Sequence, residues 1–290
     1  MRGFLGEKIG GGASADIHVW APGQVVKLFK ASGSEWFGRH EARMTRAAFA
    51  VGAPEVFDEV SVNGRFGIVL RRLDGPTLQQ LLLTGAMTPG QAGAILASLY
   101  ISVHKTPPPP EVPLLRRWID HASQASREIL PEHIATGVLA LIDRLPREDR
   151  LCHSDLHGGN VIMTADGPRI IDWGCALRAS GVFDIARMHV SLSELVPDDA
   201  DPELPRVINA TVQSEYARLS GLSPAALTEA MKPYLPILRA FVLLQRRRAT
   251  PAQRKQLIQR IEATLRQASA WTTGSGASDS SPQASGRGIP

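Results

Sequence analysis

The 290-residue chain is 43% hydrophobic and 21% charged, which excludes a disordered or fibrous protein and leaves a globular one with material for a sizeable core. Its net charge of +4 permits anionic partners without requiring them. No apolar run approaches the ~20 residues that span a bilayer, the opening MRGFLGEKIGGG lacks the apolar centre of a secretory signal, and Cys152 and Cys175 make no disulfide framework. A cytoplasmic protein with two small buried cysteines is expected, with no membrane association.

Along the chain, HVWAPGQVVKLFK reads as two short strands around a Pro-Gly turn. SEWFGRHEARMTRAAFAVG reads as a helix, with Ser34 as its cap, Glu35 in its first turn and Gly52 beyond its end. EVFDEVSVNGRFGIVLRRL is a strand, an Asn-Gly turn and a second strand. Helices dominate from about residue 76 onward. TPGQAGAILASLYISVHKT is helical and stops before PPPP. NVIMT and PRIIDW surround ADG as a further hairpin. TPAQRKQLIQRIEATLRQA opens on a Thr-Pro helix start and sets Leu257, Ile258, Ile261 and Leu265 on one face. The tail TTGSGASDSSPQASGRGIP is too polar to bury anything and is expected to be disordered. The basic LQRRRATPAQRK has no interleaved aromatics and reads as a solvated helix face, so no nucleic-acid partner is expected.

The expected fold class is α+β. A small β-rich lobe, 1–70, joins a larger helical lobe, 77–268, through a hinge at 71–76, with a tail at 269–290. A cleft between two lobes is a common ligand site.

Several groups could do chemistry there. KIGGGASADIHV is either a glycine turn between strands or a backbone nest for phosphate. It is no Walker loop, since no Gly-Lys-Ser/Thr follows, and a strand rather than a helix comes next. Lys27, in VVKLF, either snorkels to an edge or points into a polar site. Glu41 on the following helix is either an exposed glutamate or its partner. LCHSDLHGGNVIM packs polar groups between apolar flanks, either as a turn with local Asx bonds or as a loop whose tips face a cleft. A hydroxyl attacking a phosphoryl group needs a carboxylate in reach, and the phosphates need Mg²⁺ on oxygen ligands. Asp155 suits the first task, and Asn160 and Asp172 the second.

CHSDLHGGNVIM…RIIDWG resembles the signature of the aminoglycoside phosphotransferase and choline kinase families, relatives of the protein kinases: His-x-Asp-Leu-His-x-x-Asn, then two apolar residues and Asp-Trp or Asp-Phe. Gly10, Gly12 and Ala15, with Ile17 after, resemble a degenerate kinase glycine loop. Lys27, Glu41 and GAPEVF follow in order, IVLRRLDGPTL resembles the hinge, and VHKTP resembles the family's helix end. The resemblance covers roughly residues 5 to 190.

It implies a bilobal protein-kinase-like fold and ATP-dependent, Mg²⁺-assisted transfer of phosphate to a hydroxylated small molecule. Asp155 would be the base, Asn160 and Asp172 the Mg²⁺ ligands. Lys27 would hold the phosphates, oriented by Glu41. Gly10, Gly12, Leu70 and Leu73 would line the nucleotide site. His153 would pack beneath the loop. His157 would either position phosphate or brace the loop, and Asp184 would cap a helix and brace the loop.

The hinge departs from the family in having Arg71 after Leu70, which leaves GTP open as a donor, and Ala15 replaces a third glycine. The acidic SELVPDDADPE, with Glu194, Asp198, Asp199, Asp201 and Glu203, would attract a polycationic acceptor or be a solvated loop. Trp118 would stack on a substrate or sit in the core. A protein kinase is disfavoured by the short segment after Asp172, and a regulatory module without turnover by the complete motif. A homodimer is possible.

Overall fold

The computed structural model describes residues 4–12, 14–30, 35–117, 130–145, 149–195, 201–245 and 251–273. Ser34, Trp118, Asp198, Asp199 and the tail beyond 273 lie outside them.

Strand-forming residues between turn signals build the first lobe. Its five-stranded sheet has the order β1-β2-β3-β5-β4, from β1 Lys8–Gly11, β2 Ala15–Ala21, β3 Gln24–Phe29, β4 Val56–Val62 and β5 Arg65–Arg71. Every pairing is antiparallel. Asn63 and Gly64 both have positive φ, 51° and 75°, which a two-residue hairpin turn of matching twist requires. Helix α1, Glu35–Ala47, buries Glu41, Ala42 and Met44. Gly38 is where it closes on the sheet, since a Cβ there would run into the Phe66 ring.

The linker after β5 is fastened to the second lobe. The Met163 N–H donates to the Pro76 carbonyl at 2.9 Å, and Thr77 bridges Ile162. A Cβ on Gly75 would run into the Met163 carbonyl. Thr77 and Gln80 form a capping box for α2, Leu78–Leu83. Thr88 and Gln91 do the same for α3, Pro89–Lys105.

In the second lobe, β6 Arg150–Cys152 pairs with β9 Leu177–Ala179, and β7 Val161–Thr164 with β8 Gly167–Ile170. Around them lie α4 Glu132–Ile142, α5 Gly181–Glu194, α6 Glu203–Ser220, α7 Pro224–Met231, α8 Tyr234–Gln245 and α9 Pro251–Thr273. Leu257 and Ile261 of α9 are buried, with Ile258 and Leu265 packed beside them. This helix runs on to Thr273, past the expected start of the tail at 269.

The main core gathers Tyr100, Leu151, Trp173 and Ile185 of the second lobe, and it also takes in Met44, Ala48 and Ala53 of the first. The first lobe's own cluster is small: Ala15, Phe29, Ala42 and Ile68. No helix among the described residues is long and apolar enough to cross a membrane.

Candidate functional site

A cavity of about 730 Å³ lies between the lobes. Gly10, Gly12, Lys27, Glu41, Leu70, Leu73, Asn160 and Asp172 all line it, so eight of the residues singled out from the sequence meet there. Strand β3 brings Lys27 in from the sheet, and α1 brings Glu41 in from behind it. Lys27 Nζ lies 2.6 Å from Glu41 Oε1 and 3.2 Å from Asp172 Oδ1. The side chain therefore does not snorkel to an edge. It is buried and aimed at two carboxylates.

Burial alone would depress the Lys27 amine, but Glu41 and Asp172 outweigh it and hold it above its ordinary 10.5. Burial pushes the Glu41 carboxyl up, Lys27 offsets part of that, and Asp172 adds to it, so it titrates at about 7. Glu41 Oε2 is buried without a hydrogen-bond partner among the described residues. Asp172 has left-handed backbone, φ 63° and ψ 60°. That costs a non-glycine residue roughly 1 kcal/mol. Its carboxylate is 41% exposed.

The loop between β6 and β7 is held from below. His153 is buried against Trp173, with ring centres 4.6 Å apart. Its Nδ1 accepts from the Asp155 N–H at 3.2 Å, which leaves Nε2 to donate to the Ile171 carbonyl at 3.0 Å. Burial lowers its pKa and keeps it neutral for both tasks. Asn160 donates Nδ2 to the Asp155 carbonyl at 2.9 Å, which leaves its side-chain oxygen as the atom able to ligate.

Asp184 accepts the His153 N–H at 2.9 Å on Oδ2 and the Ser154 N–H at 2.8 Å on Oδ1. Its Oδ2 also lies 3.2 Å from His104 Nε2. The expected bracing of the loop is there. The expected helix cap is not: Ser180 caps α5, its Oγ accepting the Val182 N–H, and Asp184, one turn in, turns to the loop instead.

On the far side of the loop is a cavity of about 480 Å³ bordered by Asp155 and His157, with Met188, Leu192, Leu204 and Ile208 on its walls. A smaller one of about 280 Å³ touches Asp155, Cys175, Arg187 and Phe241. His157 is not among the residues lining the interlobe cavity. Its Nδ1 accepts the Gly159 N–H at 3.1 Å, so the ring is used in bracing the turn.

Arg187 was not legible as a site residue in the sequence. It donates from Nη2 to Asp155 Oδ1 at 3.3 Å. Its guanidinium lies 4.5 Å from the centre of the Phe241 ring. The one available signal was its place three residues after Asp184, which puts both on one helix face.

In the acidic stretch, Glu194 is a correction: it is only 7% exposed and ion-paired with Arg239 at 2.7 Å and Arg260 at 3.1 Å. Asp201 accepts the Glu203 N–H, and Glu203 pairs with Arg206. Of the described members of this stretch, only Glu194 is committed to neighbouring helices; Asp201 and Glu203 are exposed and bonded locally.

The family model described as the phosphotransferase enzyme family matches residues 6–222. No curated protein matches the chain by sequence. Among solved structures, the chain is similar to a mutant aminoglycoside 2'-phosphotransferase-IIIa in complex with GDP, at 17% identity and a TM-score of 0.54, with 93% of each chain covered. It is similar also to a thermostable mutant of aminoglycoside phosphotransferase APH(4)-Ia in ternary complex with ADP and hygromycin B. There the identity is 16% and the TM-score 0.56, covering 93% of this chain and 94% of that one. At such identities the likeness speaks for the fold, which is bilobal and kinase-like.

Proposed function

The chain belongs to the phosphotransferase enzyme family, and we propose that it is a small-molecule kinase that moves the γ-phosphate of ATP, or of GTP, to a hydroxyl group, with Asp155 as the base. The observation that carries this reading is the Lys27 amine held between the carboxylates of Glu41 and Asp172 in a cavity that Asn160 also lines, with Asp155 bordering the next.

The glycines of β1 and its turn approach the nucleotide phosphates closely because they carry no side chain. Lys27 binds them as a point charge, held in direction by Glu41. The apolar Leu70 and Leu73 border the end of the cavity where a base enters. Asn160 and Asp172 offer a hard-oxygen pair, one amide and one carboxylate, both lining that cavity. That donor set fits Mg²⁺, which when bound neutralises the charge on the transferred phosphoryl group. Asp155 accepts the proton of the attacking hydroxyl, and its own backbone is fixed by His153 and Asn160. Catalysis is then positioning plus charge neutralisation. We place His157 on the acceptor side, since its ring borders that cavity and braces the turn.

The acceptor enters the cavity beyond the loop. Aminoglycosides, amino-alcohols and sugars are the classes to try, hygromycin B being the ligand named for one neighbour. The test is transfer of label from radioactive ATP across such a panel, with Asp155→Ala alongside. The expected result is label on one small molecule, a loss of roughly 10²–10⁴-fold in the variant, and retained nucleotide binding. Equal turnover by variant and wild type would sink the assignment of the base.

A further inference from the structure

We infer that Arg187 is the residue that positions the catalytic carboxylate, so that α5 holds the loop twice, once by its backbone and once by its side chain. The inference rests on the reading of Asp155 as the base.

Three consecutive loop residues are held by two residues one helical turn apart. Asp184 takes the N–H groups of His153 and Ser154. Arg187, on the same face of α5, takes Oδ1 of Asp155. A carboxylate on a short side chain turns freely about its last two bonds unless one oxygen is tied. With Oδ1 bonded to the guanidinium, the other oxygen is the one free to receive a proton.

The tie is itself anchored. Arg187 is 14% exposed, and a charge held that far from water costs stability unless it is paired. The Phe241 ring supplies a flat face beneath it, which leaves the planar fork little freedom. Lysine in its place would bring a charge but not the plane that lies on the ring. Arg187 borders both cavities beside the loop, yet among the described residues its side-chain hydrogen bond goes to Asp155 itself. That makes it a positioning residue, acting through Asp155.

The test is a double-mutant cycle on the full-length chain, following phosphate release from Mg·ATP with water as the acceptor under single-turnover conditions. The variants are Arg187→Met, Arg187→Lys, Asp155→Asn and the Arg187→Met/Asp155→Asn pair. Arg187→Met is expected to slow release about ten- to a hundredfold with the KM for ATP and the melting temperature nearly unchanged. Arg187→Lys should recover part of the loss. In the Asp155→Asn background, removing Arg187 should cost nothing further, because both changes disable one device.

If the two losses multiply, Arg187 acts independently of the base and the inference is overturned while the proposed function stands. If KM rises while the rate and the melting temperature fall, Arg187 is a packing residue and the inference is again overturned. If Asp155→Asn releases phosphate as fast as wild type, or wild type releases none, the underlying reading fails and takes this one with it.

Discussion

Glu41 carries an opposition at the scale of a single residue. Its carboxyl, ordinarily near 4.5, titrates at about 7 in the folded chain. Between those values the folded state binds a proton that the unfolded state has released, so Glu41 makes stability fall as pH rises through that window. Activity should run the other way, because only the ionised carboxylate completes the pair with Lys27. We expect kcat/KM for ATP to climb through pH about 7 and the melting temperature to decline as pH rises from 4.5 to about 7. Glu41→Gln should flatten both profiles; a profile unchanged in the variant would assign the limb to another group. The gathering of these residues was largely readable beforehand, because the spacing of His153, Asp155, Asn160 and Asp172 sets them around one loop and one hairpin; their parts in hydroxyl activation and metal binding are the proposal. Arg187 was hidden. An arginine on a helix otherwise reads as solvated, and only the fold reveals that its face is turned to the loop.

Among the elements, the linker is the one most constrained by shape. Gly75 has φ 149°, a conformation that side chains rarely adopt, and its Cα faces the Met163 carbonyl. Gly75→Ala must push the linker away from β7 and break the Met163–Pro76 bond. A loss of about 2 kcal/mol or more is expected in urea unfolding, and a loss below about 0.5 kcal/mol would mean that the linker gives way freely. The hairpins were legible because their turns carry Pro-Gly, Asn-Gly or Asp-Gly, and the long helices because their apolar faces repeat. The fastening of linker to hairpin was not, since it rests on backbone groups that leave no trace in residue type. Asp184 misled for a related reason. Acid near a helix start suits the dipole, but Ser180 had already taken the cap.

For the whole molecule, the decisive fact is where the core sits. Met44, Ala48 and Ala53 belong to the first lobe in sequence and to the second lobe's core in space. The first lobe's own cluster is too small to hold a sheet and a helix together. Despite two lobes, calorimetry should record one unfolding transition. Met44→Ala, which opens a hole at that junction, should lower its midpoint without splitting it, at a cost of about 2–4 kcal/mol. Two resolved peaks would show that the lobes fold apart.

The grip of Asp184 on the loop also has a signature in deuterium uptake. Amides in an irregular segment near a cleft usually exchange within minutes, yet those of His153 and Ser154 point into a buried carboxylate. Their protons should persist as long as those at the centre of α3, leaving only when the whole molecule opens. Adding nucleotide should then leave their protection unchanged, because the rigidity beside Asp155 is built during folding and is not conferred by the substrate.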